Sequence, residues 1–465
     1  MKYDIRRLIC GLSVLVLCVF TSFAGEIHDA VAKGDLAKVK KILEKTPEAV
    51  NSKDKEGKTA LHIAARKGRM DMMKHLLSLK ADPRAKTKTG RIPLHSAAEG
   101  GHAKAVIHLL RVSRTINARD NQKWIPIHLA VKYGNAYTVK VLVYYGSNIN
   151  AQNNLKWTPL HFAADIGSTE KADVLIRGDA DENIKSIKGR TPLFLAARDG
   201  HTALVKLLLE NVAHANNIDD ESQTPVLMAA GNGHLKIVEL LIDYGANVEI
   251  RNKGGWSAMD LAASKKYKEI VELLLFNGAT VTGDDKMEGS TPFHKAAWTK
   301  NNTEVLGVFL KHGVDIEIKD KLKRTPLWAG VSHGTIENVK FLLKKGALKD
   351  SKGDLPSPIR TAAVQKRKEI LKVLLASGSG IFHAVCCRPA EEVKTLIEKD
   401  PAVVNKRTYE KWTPLHAAVL MERKDIVNLL ISKGADVNSK DKLNWTPLRW
   451  AVTFKNKGIK EILAK

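Results

Sequence analysis

Histidine is the residue type in this 465-residue chain that first suggests metal or acid–base chemistry, with sixteen copies. One recurring position is occupied by His62, His95, His128, His161, His294 and His416, and a second by His102, His201 and His234. Groups that recur once per structural layer lie about 8–10 Å apart, too far to share a metal ion with ligand bonds of about 2 Å. We therefore expect structural histidines, with no metal site and no cofactor.

Cysteine offers little redox chemistry, because only Cys386 and Cys387 lie beyond the first 24 residues. Neighbouring Cα atoms are about 3.8 Å apart, below the roughly 4.4–6.8 Å of ordinary disulfides, so a bond between these two would be strained. We expect two thiols at the exposed end of a helix, either incidental or available for cross-linking to a partner, rather than a redox or metal site. The chain also lacks the phosphate-loop, zinc-protease, nucleophile-elbow and C-x-x-C motifs. The sequence predicts a protein that is not an enzyme.

A column of twelve positions, each immediately before a recurring Thr or its substitute, carries residue types suited to binding. These positions hold Lys58, Arg91, Trp124, Trp157, Arg190, Gln223, Trp256, Ser290, Arg324, Pro356, Trp412 and Trp445. Tryptophan and arginine dominate the binding energy of many protein interfaces, because they combine large area with few rotatable bonds. The alternative is that each Trp only packs against the neighbouring loop and stiffens the row.

One recurring unit positions all of these residues. Its motif reads Thr59-Ala-Leu-His-Ile-Ala64, then Ile92-Pro-Leu-His-Ser-Ala97, and later Thr158-Pro-Leu-His-Phe-Ala163. The motif starts at residues 59, 92, 125, 158, 191, 224, 257, 291, 325, 357, 413 and 446. The early steps are 33 residues each (92 − 59, 125 − 92), and fixed periods of this length are typical of repeat proteins. The pattern resembles the ankyrin repeat family over nearly all of the chain after residue 24.

This resemblance implies an all-α repeat solenoid of about fourteen stacked helix–turn–helix units with projecting β-hairpin loops. Threonine before proline is a good helix start, since Thr caps the helix and Pro fits its first turn. In the family, the column and the position of Trp298 face a concave surface that usually contacts partners. We therefore predict that the partner contacts Trp124, Trp157, Trp256, Trp298, Trp412, Trp445, Arg91, Arg190, Arg324, Lys123, Lys156 and Lys411.

The residue before the column is unusual in the units that carry Trp. Other units have a turn glycine there, at Gly57, Gly90, Gly189 and Gly255, whereas Lys123, Lys156, Lys411 and Asn444 precede four of the tryptophans. A lysine with positive φ is strained, because its Cβ crowds the backbone. The sequence leaves open whether these hairpins use a different type of turn.

Residues 1–24 are predicted to be a signal peptide. A basic start through Arg7 precedes an apolar run at residues 8–20 and the small-residue end Ser22-Phe-Ala24. The run is shorter than the roughly 20 residues of a transmembrane helix. We expect export to a periplasm or to the outside of the cell, with no membrane span after cleavage; an uncleaved signal anchor is the alternative.

The remaining chain is predicted to contain two subarrays. Residues 25–375 form an array with an N-terminal cap, residues 376–380 a short linker that lacks a hairpin, and residues 381–465 a second subarray with a C-terminal cap. The second subarray begins like the first, since Ile381 and Ala384 match Ile27 and Ala30 at an offset of 354. A single array that lost one hairpin explains the pattern equally well.

Charge indicates the kind of partner. The chain has 75 Lys and Arg against 50 Asp and Glu, a formal net charge of +25. Such an excess favours acidic partners. We expect a monomeric, non-enzymatic scaffold that binds an acidic protein. The alternative is an electrostatic binder of a polyanion, such as nucleic acid or an anionic envelope glycan or lipid, through a basic face interleaved with Trp.

Overall fold

The computed structural model describes residues 25–283, 288–348, 357–377 and 380–464. The predicted signal peptide, Pro356, and residues 378–379 of the predicted linker lie outside these ranges. The chain divides into two compact units: an N-terminal unit that ends at Asn247 and a C-terminal unit that begins at Val248.

The N-terminal unit consists of consecutive helix pairs. Its helices are α1 (25–33), α2 (Leu36–Lys45), α3 (Ala60–Arg66), α4 (Met70–Ser78), α5 (Pro93–Glu99), α6 (Ala103–Ser113), α7 (Pro126–Lys132), α8 (Ala136–Tyr144), α9 (Pro159–Asp165), α10 (Thr169–Ile176), α11 (Pro192–Asp199), α12 (Thr202–Glu210), α13 (Pro225–Asn232) and α14 (Leu235–Asp243). A short 3₁₀ helix covers Pro47–Asn51.

The C-terminal unit repeats this organisation. Its helices are α15 (Ala258–Lys265), α16 (Lys268–Phe276), α17 (Pro292–Trp298), α18 (Thr303–Lys311), α19 (Pro326–Ser332), α20 (Ile336–Lys344), α21 (Pro358–Val364), α22 (Lys368–Ala376), α23 (Ile381–Cys387), α24 (Ala390–Lys399), α25 (Pro414–Leu420), α26 (Lys424–Ser432), α27 (Pro447–Thr453) and α28 (Lys457–Leu463). A second 3₁₀ helix covers Pro401–Asn405. The described residues thus form fourteen helix pairs, as the repeat count predicts, and contain no β-strand.

In the twelve pairs that carry the motif, the first helix starts where the motif predicts. In α9, the Thr158 side chain accepts a hydrogen bond from the backbone N–H of His161, and Pro159 occupies the first turn. Ala163 and Ala164 are fully buried, so neighbouring first helices approach closely. This combination of a capping Thr, an N-terminal Pro and small residues fixes the helix locally.

The second helix of each pair is amphipathic. In α14, Ile237, Val238 and Leu241 are buried, whereas the charged residues of the helix are more accessible to solvent. Such a helix cannot bury its apolar side alone, so stability comes from stacking on neighbouring pairs.

None of the helices in the described ranges is long and apolar enough to cross a membrane.

The loops between pairs are tight turns closed by backbone hydrogen bonds. In the turn before α7, Asp120 N–H donates to Trp124 O (2.9 Å), and Asp120 Oδ1 accepts from the N–H of Gln122 and of Trp124. Adjacent turns are joined as well, since Asn154 N–H donates to Gln122 O (3.0 Å). In the N-terminal unit, bonds of this kind join the turns from Glu56 to Asp220 into a continuous backbone row.

The turn-glycine position is left-handed whether or not a glycine occupies it. Its φ is +79° at Gly57, +80° at Gly90, +71° at Gly189 and +80° at Gly255, and +59° at Lys123, +55° at Lys156, +58° at Lys411 and +60° at Asn444. The hairpins with Trp therefore use the same turn as the others, and their lysines carry the strain of a positive φ.

Helices on both sides of residues 376–380 pack together. Helix α22 contacts α23, and Lys368 Nζ pairs with Glu422 (3.0 Å) from the far side of the segment. The boundary between two subarrays at this segment stays a prediction.

Candidate partner-binding surface

The backbone of the column is held in place by the motif histidines. The Nε2 atom of His62 lies 3.0 Å from the carbonyl oxygen of Arg91, the column residue of the next repeat. Its Nδ1 accepts the backbone N–H of Thr59 (3.1 Å), so the proton lies on Nε2, which donates to that carbonyl. The same pair of bonds occurs at His161 and His416. Each histidine therefore bridges two repeats.

Burial keeps these histidines neutral. It lowers the pKa of four of them, His62, His95, His128 and His161, from 6.5 to about 4. Both ring nitrogens are used in hydrogen bonds at these positions. The prediction of structural histidines is confirmed at the motif position. No cluster of three or more His, Cys, Asp or Glu in the described ranges is placed to hold a metal ion.

Two predicted anchors in the N-terminal unit, Trp124 and Trp157, are half-buried and share one neighbour. Phe162, on α9, lies 4.5 Å from the ring of Trp124 and 4.9 Å from the ring of Trp157, measured between centroids. Lys132 Nζ lies 5.4 Å from the centroids of both Trp124 and Phe162. Trp124 thus packs on the next repeat and Trp157 on its own, and both remain partly exposed to solvent.

Phe162 was not among the predicted site residues. It occupies the variable position of the motif, the x in Thr-Pro-Leu-His-x-Ala, where Ile63 and Ser96 occur in other repeats. The sequence did contain a signal for it: a large aromatic residue stands at this position, and column tryptophans occur in its own repeat and in the preceding one.

The lysines beside these tryptophans remain exposed. Lys123 and Lys156 lie at the tips of their turns, and Lys411 is exposed in the same place in the C-terminal unit. They place a positive charge beside a Trp and are not part of the hydrophobic core.

The three predicted arginines are tied to carboxylates. Arg91 Nε lies 3.2 Å from Asp120, and Arg190 Nε lies 3.2 Å from Asp219, in each case in the next turn of the row. Arg324 pairs with Asp320 of its own turn and with Glu288, and its side chain is only 10% exposed. These arginines link repeats, so less of their charge is available to a partner.

Trp256 packs against a buried lysine. Lys295 Nζ lies 4.6 Å from the ring centroid of Trp256 and 2.8 Å from Asp260 Oδ1. Asp260 occupies the histidine position of its motif and also accepts from Arg251 (3.0 Å). Ser257 N–H donates to the same carboxylate (2.9 Å), so Asp replaces the histidine as an acceptor for the helix start.

Trp298 is the most exposed of the predicted tryptophans. Its side chain is 41% exposed at the end of α17, and its ring centroid lies 4.4 Å from that of His333. This placement agrees with the expectation of a surface position on a first helix.

Trp412 lies in the core, so the expectation that it is exposed is wrong. It is 0% exposed, its indole N–H donates to Asp441 Oδ2 (3.1 Å), and its ring meets Trp450 edge-on at 5.5 Å. Trp450 N–H donates to the same oxygen (3.2 Å), and Arg360 Nη2 lies 3.3 Å from it. Trp450, at the variable motif position of the next repeat, and the buried Asp441 both contact the Trp412 ring system.

Trp445 is half-buried between Trp450 and a cation. Its ring centroid lies 4.7 Å from that of Trp450, and the guanidinium carbon of Arg449 lies 4.4 Å from the Trp445 ring. Nearby, Lys442 Nζ lies 3.2 Å from the ring centroid of Tyr409. Sequence reasoning identified Trp445 but missed the cations that cover these aromatic faces.

The two cysteines differ in environment. Cys386 is buried and Cys387 is exposed, and they form no disulfide with each other. The expectation of two exposed thiols is therefore wrong for Cys386, which lies on the packed side of α23.

Comparisons with known proteins agree with this architecture. A family model described as ankyrin repeats, in three copies, matches residues 27–121, 127–219, 211–285, 293–384 and 359–465. A transient receptor potential cation channel subfamily A member 1 homolog from Caenorhabditis elegans is 32% identical over 114 residues, 24% of this chain and 9% of that protein. The potassium channel AKT2/3 of Arabidopsis thaliana is 29% identical over 151 residues, 30% of this chain and 18% of that protein.

The matched region is therefore less than a fifth of the length of either relative. The family matches, in contrast, cover nearly all of the chain from residue 27 to residue 465. The repeated capped helices, the histidine bridges and these matches lead to one conclusion: the chain belongs to the ankyrin repeat family.

Proposed function

We propose that this protein is a non-enzymatic scaffold that binds a protein partner on its hairpin face, the surface formed by the column and the exposed ends of the first helices. Ankyrin repeats are generally protein-interaction scaffolds. The observation that carries the proposal is the half-buried pair Trp124 and Trp157 beside exposed Lys123 and Lys156. Rigid aromatic edges with a polar rim are typical of interface hot spots.

The packing of the tryptophans supports this role rather than opposing it. Contact with Phe162 holds both rings in fixed orientations, so binding would cost little side-chain entropy. Trp298 adds exposed aromatic area in the C-terminal unit. Trp412 is excluded from the proposed surface because it is fully buried.

The charge of the chain favours an acidic partner, and the apolar run at residues 8–20 favours a partner met after export. We propose that the protein acts as a monomer outside the compartment where it is made. Capture on the tagged full-length chain from that exported fraction, followed by mass spectrometry, identifies the partner.

Binding isotherms with that partner test the face. The double variant Trp124→Ala, Trp157→Ala should raise Kd about 10³-fold, since each central anchor contributes about 2 kcal/mol and 1.4 kcal/mol is a factor of ten. Lys123→Ala with Lys156→Ala should mainly slow association and weaken its salt dependence. Thermal melts of each variant report the fold separately.

Trp412→Phe is the matched control, because it changes a column tryptophan that lies in the core. It should lower the melting temperature and leave the affinity of the folded protein unchanged. If the double variant loses stability but binds with unchanged affinity per folded molecule, the tryptophans are structural and the proposed face is wrong.

A second candidate is polyanion binding through the C-terminal unit. The pairs Arg449–Trp445 and Lys442–Tyr409 place cations over aromatic rings, while the neighbouring carboxylates Glu410 and Asp441 are buried. Affinity for a polyanion falls steeply with salt through counterion release, whereas a Trp-anchored protein interface changes little. Titrations with single-stranded DNA at two salt concentrations separate the two functions.

A further inference from the structure

A groove lined by many charged residues lies at the start of the hairpin face in the N-terminal unit. Its volume is about 700 Å³, and it lies between two neighbouring turns and the first helices α3 and α5. Nine of its fourteen lining residues are charged, six of them Lys or Arg and three Asp or Glu. This volume is within the range of ligand clefts, roughly 300–1,000 Å³.

All three carboxylates of the groove are already engaged. Asp54 Oδ1 accepts the backbone N–H groups of Glu56 and Lys58, each at 2.8 Å. The Glu56 side chain forms an ion pair with Lys58. The third carboxylate, Glu99, is held by Arg66 (3.2 Å) and more loosely by Arg91 (3.7 Å). Glu56 therefore compensates Lys58, Glu99 compensates Arg66, and Arg91 is shared between Glu99 and Asp120 of the next turn.

Three lysines of the groove have no such compensation. Lys55, Lys67 and Lys88 are exposed, and within the described ranges none of them forms an ion pair. The lining carries six cations against three carboxylates, a difference of +3. A concave site with one sign of unpaired charge concentrates ligands of the opposite sign.

We propose that this groove binds an extended acidic segment of the partner protein, with Asp or Glu side chains at Lys55, Lys67 and Lys88. The inference rests on the proposed function and names the chemistry of the partner. The exposed Thr89 supplies a hydroxyl for a peptide backbone, and Ile63 supplies an apolar contact.

The composition of the groove disfavours single-stranded nucleic acid. Such ligands are held by bases stacked on aromatic side chains together with backbone charge contacts. The only ring that lines the groove is His62, and it is buried and hydrogen-bonded through both nitrogens. Charge complementarity without a stacking surface fits carboxylate side chains.

The test uses the full-length chain and a fluorescent decapeptide of alternating Glu and Ser, with a Gln-for-Glu peptide as the neutral reference. Fluorescence anisotropy should show binding of the Glu peptide and at least tenfold weaker binding of the Gln peptide. The triple variant Lys55→Gln, Lys67→Gln, Lys88→Gln should bind the Glu peptide at least tenfold more weakly than the natural chain.

The matched control removes three exposed lysines from second helices of the same unit, Lys41→Gln, Lys104→Gln and Lys140→Gln. Its net charge equals that of the first triple variant, and its affinity should change less than twofold. Equal losses in the two triple variants would overturn the proposal, because long-range charge would then explain the binding. Tighter binding of a ten-nucleotide single-stranded DNA, lost in the first triple variant, would overturn it in favour of a polyanion.

The tryptophan pair separates this proposal from the proposed function. Trp124→Ala with Trp157→Ala leaves the groove residues in place, so the decapeptide should bind this variant normally. If the decapeptide fails to bind the natural chain while the Trp variant loses the natural partner, the groove proposal alone is refuted. If the decapeptide binds and the Trp variant retains its partner, the proposed Trp face alone is refuted.

Discussion

Acid should destabilise the N-terminal unit well before its carboxylates titrate. The pKa values of His62, His95, His128 and His161 are lowered by burial from 6.5 to about 4. A lowered folded-state pKa means that the unfolded chain binds protons first. The stability is therefore full above pH 6.5 and falls as the pH drops from 6.5 towards 4.

The magnitude follows from the size of the shift. A pH of 5 lies about 1.5 units below the pKa of a histidine in the unfolded chain. At 1.36 kcal/mol per unit, each buried histidine therefore lowers the free energy of unfolding by about 2 kcal/mol at this pH. Four such residues together lower the free energy of unfolding by about 8 kcal/mol. This loss is comparable to the whole unfolding free energy of a typical domain, roughly 5–15 kcal/mol. We expect the repeats that contain α3 to α9 to unfold between pH 6 and pH 5.

Urea denaturation from pH 7.5 to pH 5, with hydrogen exchange to locate the opening, measures this effect. The variant His95→Leu uses a residue that occupies the same motif position naturally at Leu227. Leucine binds no proton, so the slope of unfolding free energy against pH should fall by about 1.2 kcal/mol per pH unit. Repeating the series in 0.5 M salt screens the net charge of +25. The slope of unfolding free energy against pH that remains in salt therefore reports the burial of the histidines.

An unfolding free energy that stays flat between pH 6.5 and pH 5 would refute the reasoning. So would a His95→Leu variant whose slope equals that of the natural chain. Either result would mean that the histidines are protonated without loss of their bridges between repeats.

Three further changes test other features of the structure. Lys123→Gly should stabilise the protein by about 1 kcal/mol in thermal melts, because glycine adopts φ +59° without strain; Lys140→Gly, on a helix, should cost about as much. Arg360→Met should cost about 3–5 kcal/mol in urea denaturation, since it leaves buried carboxylates unpaired, and exchanging those carboxylates for amides should restore much of the loss. Iodoacetamide should label Cys387 in the folded chain and Cys386 only after unfolding, as mapped by peptide mass spectrometry; equal labelling would contradict the burial of Cys386.

The repeat architecture was predictable because its signals are local. Thr158 and Pro159 start their helix through contacts within one turn, and the same pattern recurs at a fixed spacing. The bond from Thr158 N–H to His161 Nδ1 was predictable for the same reason, since the position of His161 relative to Thr158 is fixed by the helix. Short-range geometry of this kind repeats wherever the sequence repeats.

The environment of three column tryptophans depended instead on residues about 38 positions away. Trp124 meets Phe162, Trp256 meets Lys295 and Trp412 meets Trp450, and in each pair the partner occupies the variable position of the following motif. The same residue type in the same column is therefore half-exposed in one repeat and fully buried in another.

The sequence by itself determined which residues recur and which elements they build, because capping and periodicity act within one repeat. Only the tertiary structure decided which recurring side chains reach solvent. Arg360 shows the difference: it stands at a histidine position, yet its charge is paired with Glu410 and Asp441, 50 and 81 residues later (410 − 360, 441 − 360). Burial is set by what stacks on a repeat, and stacking brings together residues that no local pattern connects.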